Sequence, residues 1–359
     1  MSELTDGAVL DALRAVTDPD LGRDIVGLGF VKNLAIRDGH VAFSIELTTP
    51  ACPVKEQMRE QALSAVSALD GVTGVDIEMT AAVRSAATPE GGRAPIPGIR
   101  NIIAVGAGKG GVGKTTVAVN LAVALARYGG RVGIIDADVY GPNVPIMLGI
   151  DAQLESDGKK IVPAEKYGIR VVSMGFLTNA SAPIIWRGPM LHGVVRQFFQ
   201  DVRWGELDYL VVDMPPGTGD VALSLSQTVP VAGAVVVTTP QTVSISDSRR
   251  AVAMYQKLNV PPLGIVENMS FYNCPGCGQE SDLFGKGGGE RIAEELSVPF
   301  LGRLPVYPPV RVGSDTGVPI VVAEPESAVA RAFLDIAARA AAQVSIATYQ
   351  QPTPAAPVA

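Results

Sequence analysis

The sequence contains few cysteines and few histidines, and both shortages narrow what the protein can be. Its three cysteines, Cys52, Cys274 and Cys277, are too few in 359 residues for a disulfide framework, which indicates a reducing, cytoplasmic setting. Its two histidines, His40 and His192, do not have the spacing of metal ligands, so we expect them to be structural or to lie on the surface.

Clustered positive charge and long apolar runs are also missing. The net charge is -7 and there is no basic block, so neither nucleic acid nor an anionic membrane is an expected partner. No apolar run approaches the length of a membrane span. The first residues, MSELTDGAVLDALRAV, lack the basic and then apolar form of a signal peptide, which again favours a cytoplasmic location. With 47% hydrophobic and 18% charged residues, the composition is typical of a soluble protein with a large core.

Composition and periodicity divide the chain into two domains. The segment RSAATPEGGRAPIPGI is rich in Ala, Gly and Pro and predicts a linker over residues 84–99. Residues 1–83 show helical spacing and strand-like alternation in turn, which predicts a small α+β domain. Residues 100–345 form the second domain, and residues 346–359, ending in QQPTPAAPVA, are expected to be a disordered tail.

Short apolar runs alternate with longer helical segments in the second domain. The runs are NIIAVGA, RVGIIDAD, DYLVVDMP, AGAVVVTTP and PLGIVENM. Continuous apolar runs of this kind are typical of parallel strands that are buried on both faces. The predicted fold class is therefore α/β, with a mostly parallel, doubly wound sheet that binds ligands at the carboxyl ends of its strands. The glycine-rich segment GKGGVGKT after the first run predicts, within this class, a P-loop NTPase.

Residues 108–115, GKGGVGKT, fit the pattern G-x-x-x-x-G-K-[ST] between a predicted strand and a predicted helix. The glycines let backbone N–H groups surround an anion, and the helix N-terminus adds positive potential. We expect Lys114 to neutralise the β- and γ-phosphates of ATP and the Thr115 hydroxyl to coordinate Mg²⁺. The predicted nucleotide-binding set in this loop is Gly108, Lys109, Gly110, Gly111, Val112, Gly113, Lys114, Thr115 and Thr116.

Polar residues follow three further strands. Asp136 and Asp138, in IIDADVYGPN, lie on the same side of an extended segment. One is expected to help hold Mg²⁺ and the other to orient the attacking water, although Asx turns that order the loop are an alternative. Asp213 ends the strand in YLVVDMPPGTGD, and the N–H of Gly217 in the next loop is expected to donate to the γ-phosphate. Asn268 ends the strand in GIVENM.

The segment KGGVGKTT resembles the deviant Walker A loop of the ParA/MinD/NifH-like ATPases. The resemblance implies that Lys109 reaches across the interface of a homodimer to the partner's nucleotide, where an added cation stabilises developing charge. A solvated surface lysine is the alternative. The resemblance also implies that Asp138 orients the water, that Asp213 occupies the Walker B position, that Gly217 belongs to switch II and that Asn268 reads adenine.

Further segments are similar to the Mrp/Nbp35/ApbC family of iron–sulfur cluster carrier ATPases. Over about residues 99–340 they are DADVYGPNVP, IIWRGPM, VVDMPPGTGD, VVTTPQ, ENMSFYNCPGCG and GSDTGVPI. In the first domain, DPDLGRDIVGLGFVKNL and TTPACPVKEQM are similar to the MIP18-like (DUF59) domain. These resemblances imply a cytosolic ATPase that receives a cluster from an assembly scaffold and delivers it to apo-proteins.

The cysteines allow several interpretations. Cys274 and Cys277 form a C-x-x-C, a pattern typical of a redox disulfide, half of a zinc site or half of a cluster site, and two free structural thiols are the remaining alternative. Zinc and [4Fe–4S] sites commonly take four protein ligands, which the two pairs of a two-fold dimer would supply. Spacing alone does not separate zinc from a cluster, but the family resemblance implies [4Fe–4S].

Cys52 opens a predicted helix whose dipole would lower its pKa and favour a transient ligand role, unless it is a buried small hydrophobe.

Two other functions are compatible with a deviant Walker A loop, and the sequence offers a feature that separates each from a cluster carrier. A ParA/MinD-like positioning ATPase acts on DNA or membrane and should carry a basic surface or a basic amphipathic terminal helix, whereas AAQVSIATYQQPTPAAPVA contains no Lys or Arg. A nitrogenase-reductase-like electron donor holds its cluster with widely spaced single cysteines rather than a C-x-x-C.

The segment FGKGGGERI lacks both the terminal G-K-[ST] and a preceding strand, so we do not expect it to bind nucleotide.

Overall fold

A computed structural model describes residues 4–85, 95–138, 141–151, 155–156, 158, 160–176, 188–217, 219–274 and 276–350. The chain divides into two compact units, residues 1–84 and residues 85–359. Most of the predicted linker, residues 86–94, lies outside the described ranges. Each unit is described by itself below.

The first unit is a three-stranded sheet with two helices. Its elements are α1 (Asp6–Leu13), β1 (Thr17–Asp18), β2 (Arg23–Asp24), β3 (Val31–Arg37), β4 (His40–Leu47), α2 (Lys55–Ser67) and β5 (Gly74–Ala81). Strand β4 is central, antiparallel to β3 and parallel to β5, and α2 forms the crossover that a parallel pair requires. Val41, Phe43, Ile45 and Leu47 are buried at alternate positions of β4, as the sequence pattern predicts for a half-buried strand.

The second unit contains the remaining elements. In chain order they are β6 (Ile99–Ala107), α3 (Lys114–Arg127), β7 (Val132–Asp136), α4 (Val144–Leu148), β8 (Glu155–Ser156), β9 (Ile161–Val162), β10 (Ala164–Lys166), β11 (Ile169–Ser173), α5 (Gly188–Gln200), β12 (Leu207–Asp213), α6 (Asp220–Thr228), β13 (Gly233–Thr238), α7 (Thr242–Lys257), β14 (Pro262–Glu267), β15 (Tyr272–Asn273), β16 (Glu280–Ser281), α8 (Gly288–Leu296), β17 (Phe300–Arg303), α9 (Pro308–Thr316), α10 (Ile320–Ala323) and α11 (Ala328–Gln350).

Eight of these strands form one sheet in the order β10-β11-β7-β12-β6-β13-β14-β17. Only the β10–β11 pair is antiparallel. Ile102 and Ala104 of β6 face a core that includes Phe198 of α5 and Val252 of α7. Ile103 alternates with them and therefore points to the opposite face, where α3 and α11 pack together. The expected mostly parallel, doubly wound α/β sheet is confirmed.

Helix α11 is the longest described helix, and it extends further than the sequence indicated. It ends at Gln350, so residues 346–350 are helical rather than part of a disordered tail. The helix continues because burial extends past the predicted boundary: Val344 is 2% exposed and Ile346 is still half-buried. Residues 351–359 lie outside the described ranges. Neither α11 nor any other helix in those ranges is both long enough and apolar enough to cross a membrane.

Candidate nucleotide site and cysteine loop

Five buried polar residues end five strands along one edge of the large sheet. They are Ser173 of β11, Asp136 of β7, Asp213 of β12, Thr238 of β13 and Glu267 of β14. The strand register places Asp213 beside Asp136, and Thr238 beside Glu267. Strand β6 lies between β12 and β13 and leads into the loop of residues 108–113. This loop, called the phosphate loop below, therefore lies at the middle of the edge where such sheets bind ligands.

The phosphate loop has a shape that requires glycine at several positions. Gly111 and Gly113 have φ angles of 78° and 82°, in the left-handed region that favours glycine. A Cβ atom on Gly108 would lie 2.2 Å from the carbonyl carbon of Asp247, and one on Gly113 would lie 2.2 Å from Nδ2 of Asn268. The close packing of the loop against α7 and against the end of β14 therefore depends on these glycines.

Lys114 and Thr115 converge on one carboxylate. Nζ of Lys114 lies 2.6 Å from Oδ1 of Asp213, and the Thr115 hydroxyl donates to Oδ2 of Asp213 at 2.7 Å. Burial raises the pKa of Asp213, and the Lys114 ammonium opposes that increase. Nζ of Lys114 is also 4.0 Å from Oδ2 of Asp138. The structure thus brings together the predicted phosphate cation, the predicted Mg²⁺ ligand and the two carboxylates Asp138 and Asp213.

Asp136 orders the backbone around the site. Its carboxylate accepts hydrogen bonds from the Ser173 hydroxyl at 3.0 Å, the Val144 N–H at 3.1 Å and the Asp138 N–H at 3.2 Å. The side chain is fully buried, and this burial, with the charge of Asp213, raises its pKa. Three of its acceptor positions are used within the chain, so the structure favours the loop-ordering alternative over Mg²⁺ coordination for Asp136.

Lys109 and Gly217, both predicted to contact phosphate, differ in whether their donor groups are available to a ligand. Lys109 is half-buried and has no hydrogen bond or ion pair within the described parts of the chain, so its ammonium is available to a ligand or partner. The Gly217 N–H instead donates to the Ala107 carbonyl at 3.0 Å, because the loop after β12 folds back onto the end of β6. In this conformation the expected bond from Gly217 to the γ-phosphate is not available.

Asn268 has a structural role that the sequence did not reveal. Its side-chain Nδ2 donates to the Val112 carbonyl in the phosphate loop at 2.8 Å, and its backbone N–H donates to the Thr238 carbonyl at 2.8 Å. Adenine could still bind to the second hydrogen on Nδ2 of Asn268 and to its Oδ1 acceptor. Adenine recognition by Asn268 stays a prediction, whereas its bond to the phosphate loop is observed.

Cys274 and Cys277 lie in the connection between the short antiparallel strands β15 and β16. Cys277 is exposed and Cys274 is partly exposed. Hydrogen bonds from the backbone N–H groups of Cys277 and Gly276 lower the pKa of the Cys274 thiol. Among the residues that the structure describes, no group of three or more Cys, His, Asp or Glu side chains could hold a metal ion. The C-x-x-C is therefore a two-ligand site within the described part of one chain.

Cys52 differs from the expectation for its pKa. The thiol is 8% exposed and precedes α2, which begins at Lys55. Burial raises its pKa to about 11, although a hydrogen bond from the Val54 N–H opposes the increase. The expectation that the helix dipole lowers this pKa is wrong because desolvation of the thiolate is the larger effect. The alternative of a buried small hydrophobe agrees with the structure.

Glu267 is a residue that sequence reasoning missed. Its buried carboxylate accepts hydrogen bonds from the Ser270 hydroxyl and from the N–H groups of Gly287 and Gly289. The signal was the glycine-rich segment FGKGGGERI, which contains both of these glycines. Its resemblance to an anion-binding loop had a basis, but the anion that it binds is a side chain of the same protein.

Comparison with protein families and sequences gives consistent results. A family model described as NUBPL iron-transfer P-loop NTPase matches residues 98–341, and one described as iron-sulfur cluster assembly protein matches residues 6–78. An iron-sulfur cluster carrier protein of Synechocystis is 51% identical over 96% of this chain and 99% of its own length. The iron-sulfur cluster carrier protein of Escherichia coli is 39% identical over 96% of each chain.

Solved structures resemble the second unit. A nucleotide-binding protein of Archaeoglobus fulgidus in complex with ADP is 37% identical, with a TM-score of 0.57 over 65% of this chain and 91% of its own. The cell division ATPase MinD of Pyrococcus furiosus is 25% identical, with a TM-score of 0.52 over 67% of this chain and 97% of its own. The family resemblance found in the sequence is confirmed: the chain belongs to the NUBPL iron-transfer P-loop NTPase family and carries an N-terminal iron–sulfur cluster assembly domain.

Proposed function

We propose that this protein is a cytoplasmic ATPase that carries an iron–sulfur cluster between two copies of the chain and transfers it to apo-proteins. The observation that carries the proposal is the pair of accessible thiols of Cys274 and Cys277, in the same unit as the phosphate loop. Relatives named iron-sulfur cluster carrier protein support the choice of a cluster over zinc. The cluster is cargo, received from an assembly scaffold and given to an acceptor.

The number of ligands supports a homodimer. A [4Fe–4S] cluster held only by protein takes four thiolates, and the C-x-x-C supplies two. A two-fold axis doubles every residue, so two copies supply four thiolates from one surface of each chain. Lys109 supports the same symmetry independently, because its ammonium has no hydrogen bond or ion pair in the described ranges and is available to a nucleotide on the partner.

The residues around the phosphate loop support ATP hydrolysis. On binding ATP, Lys114 would exchange its ion pair with Asp213 for the phosphate oxygens, and the backbone N–H groups of the loop would surround those oxygens. The Thr115 hydroxyl and the Asp213 carboxylate are oxygen donors of the kind that Mg²⁺ prefers, and the ion would neutralise phosphate charge. Asp138 would orient the attacking water, and Lys109 of the partner copy would stabilise the charge that develops on the transferred group.

Cluster reconstitution tests the proposal. Wild-type protein is incubated anaerobically with iron and sulfide, separated from the reagents and examined by absorption and Mössbauer spectroscopy. We expect Cys274→Ala and Cys277→Ala each to abolish stable cluster binding, whereas the control Cys52→Ala keeps the wild-type spectrum because Cys52 is buried in the other unit. Loaded wild-type protein should then restore the spectrum of an apo-ferredoxin. A cluster that survives both Cys274→Ala and Cys277→Ala would refute the assignment.

A further inference from the structure

Glu267 joins two parts of the chain that are distant in sequence. It is the last residue of β14 and is fully buried. Its Oε1 accepts from the Ser270 hydroxyl at 2.5 Å and from the Gly287 N–H at 3.0 Å, and its Oε2 accepts from the Gly289 N–H. No Lys or Arg in the described ranges forms an ion pair with it, so two backbone N–H groups at the start of α8 and one hydroxyl stabilise its charge.

The glycines of FGKGGGERI make this contact possible. Gly287 has a φ of 72°, in the left-handed region. A Cβ atom on Gly289 would lie 2.9 Å from Cβ of Glu267, and one on Gly288 would lie 2.8 Å from the Pro240 carbonyl oxygen. A side chain at Gly289 would push the start of α8 away from the end of β14, and one at Gly288 would push it away from Pro240, which follows β13. The segment is thus an anion-binding loop built to fit the Glu267 carboxylate.

The bonds of Glu267 close the chain segment that carries Cys274 and Cys277. Residues 268–287, called the cysteine segment below, leave the sheet directly after Glu267 and return to its carboxylate through Gly287. Cys274 and Cys277 lie between the two short strands of this segment. Asn268, its first residue, bonds to the phosphate loop at the Val112 carbonyl. Both ends of the cysteine segment are therefore fixed at the edge of the sheet that holds the nucleotide site.

We propose that Glu267 is the positioning residue of the cysteine segment, holding the C-x-x-C in a fixed relation to the phosphate loop. The thiols bind the cargo, and Glu267 acts through the backbone that presents them. A buried carboxylate whose donors are lost is costly, so its bonds hold the ends of the segment together. This inference rests on the proposed function for the identity of the cargo, and it adds a residue that keeps the ligands in place.

The test compares two substitutions of buried carboxylates. Glu267→Gln keeps the size of the side chain but turns an amide group toward a backbone N–H that needs an acceptor. Asp208→Asn is the matched control, because Asp208 is 6% exposed, accepts from Arg131 and Arg100, and lies near the opposite end of β12 from Asp213. Ser270→Ala, which removes one of the three donors, provides a milder variant should Glu267→Gln not fold.

Amide hydrogen exchange and iron release are measured on the full chain. In Glu267→Gln we expect exchange within residues 269–289 to become about tenfold faster, equivalent to about 1.4 kcal/mol, while the rest of the second unit stays near wild type. Cluster-loaded Glu267→Gln should also release iron to a chelator faster than wild type does. The fold-increase in this release rate should exceed the fold-decrease in affinity for ADP. Ser270→Ala should show the same pattern at smaller size, and Asp208→Asn should leave both the segment and iron release unchanged.

Two results of the hydrogen-exchange experiment would overturn the positioning role. One is wild-type exchange in the cysteine segment of Glu267→Gln, and the other is faster exchange spread over the whole unit, as a merely structural residue would give. If wild-type protein takes up no cluster, the proposed function fails, and the rate of Cys277 alkylation in metal-free protein decides the role of Glu267. An alkylation rate that is altered in Glu267→Gln but not in Asp208→Asn supports the positioning role. Equal alkylation rates in wild type, Glu267→Gln and Asp208→Asn overturn it.

Discussion

The side-chain amide of Asn268 donates to the carbonyl of Val112 at 2.8 Å, so the end of β14 is bonded directly to the phosphate loop. Asn268 is also the first residue after Glu267, where the cysteine segment begins. The first residue of the cysteine segment is thus bonded to the phosphate loop through its side chain. Because nucleotide binding at the phosphate loop can then alter the cysteine segment, we expect nucleotide binding to change the affinity for the cluster. This linkage is reciprocal, so a bound cluster should change the affinity for nucleotide by the same factor.

A titration tests this linkage. We expect a non-hydrolysable ATP analogue to bind apo and cluster-loaded protein with different dissociation constants, and Asn268→Ala to weaken binding by about tenfold and to reduce that difference. The control is Asn101→Ala, which removes a bond to the Asp208 carbonyl at the other end of β12 and should keep wild-type affinities. Identical affinities of apo and loaded wild-type protein would show that the two sites are independent.

Lys114→Ala should affect both stability and nucleotide binding. Lys114 is 7% exposed and Asp213 is fully buried, so the substitution leaves a carboxylate without its cation in the core. We expect the free energy of unfolding to fall by about 3 kcal/mol, measured by urea denaturation, and ATP hydrolysis to disappear. Unchanged stability would mean that the ion pair between Lys114 and Asp213 contributes nothing.

Lys109→Ala should separate hydrolysis from binding. Lys109 has no ion pair within the described ranges, so we expect its removal to change the free energy of unfolding by no more than about 0.5 kcal/mol. Much of the nucleotide affinity should remain, because the phosphate loop and Lys114 are intact, but hydrolysis should be lost. A steady-state phosphate-release assay decides the matter, and a wild-type rate would exclude a role for Lys109 on the partner's nucleotide.

The Cys52 thiol should react slowly at neutral pH. Its pKa rises from 9.0 to about 11 in the folded protein, so iodoacetamide at pH about 8 should modify Cys274 and Cys277 before Cys52, as peptide mass spectrometry would show. Between the two pKa values the native protein holds a proton that the unfolded chain has lost. The free energy of unfolding of wild type relative to Cys52→Ala should therefore fall as pH rises through this window. Early modification of Cys52 would contradict its burial.

The sequence was sufficient where function depends on neighbouring residues and insufficient where distant residues meet. Strand, glycine loop and helix follow one another around Lys114, so the local pattern predicted both the fold and the phosphate loop. The bond between Glu267 and Gly289 joins residues 22 positions apart, and no local pattern reveals that a glycine-rich segment binds a side chain of its own protein. The pKa of Cys52 depends on burial, which one helix start does not determine.

Native mass spectrometry of anaerobically reconstituted protein shows whether two copies of the chain share one cluster, because one spectrum gives the number of chains and the mass of the bound iron and sulfide. We expect the cluster-bearing species to contain two chains and about four irons, and Cys277→Ala to lack that species. A complete cluster on a single chain would show that the two copies do not share it.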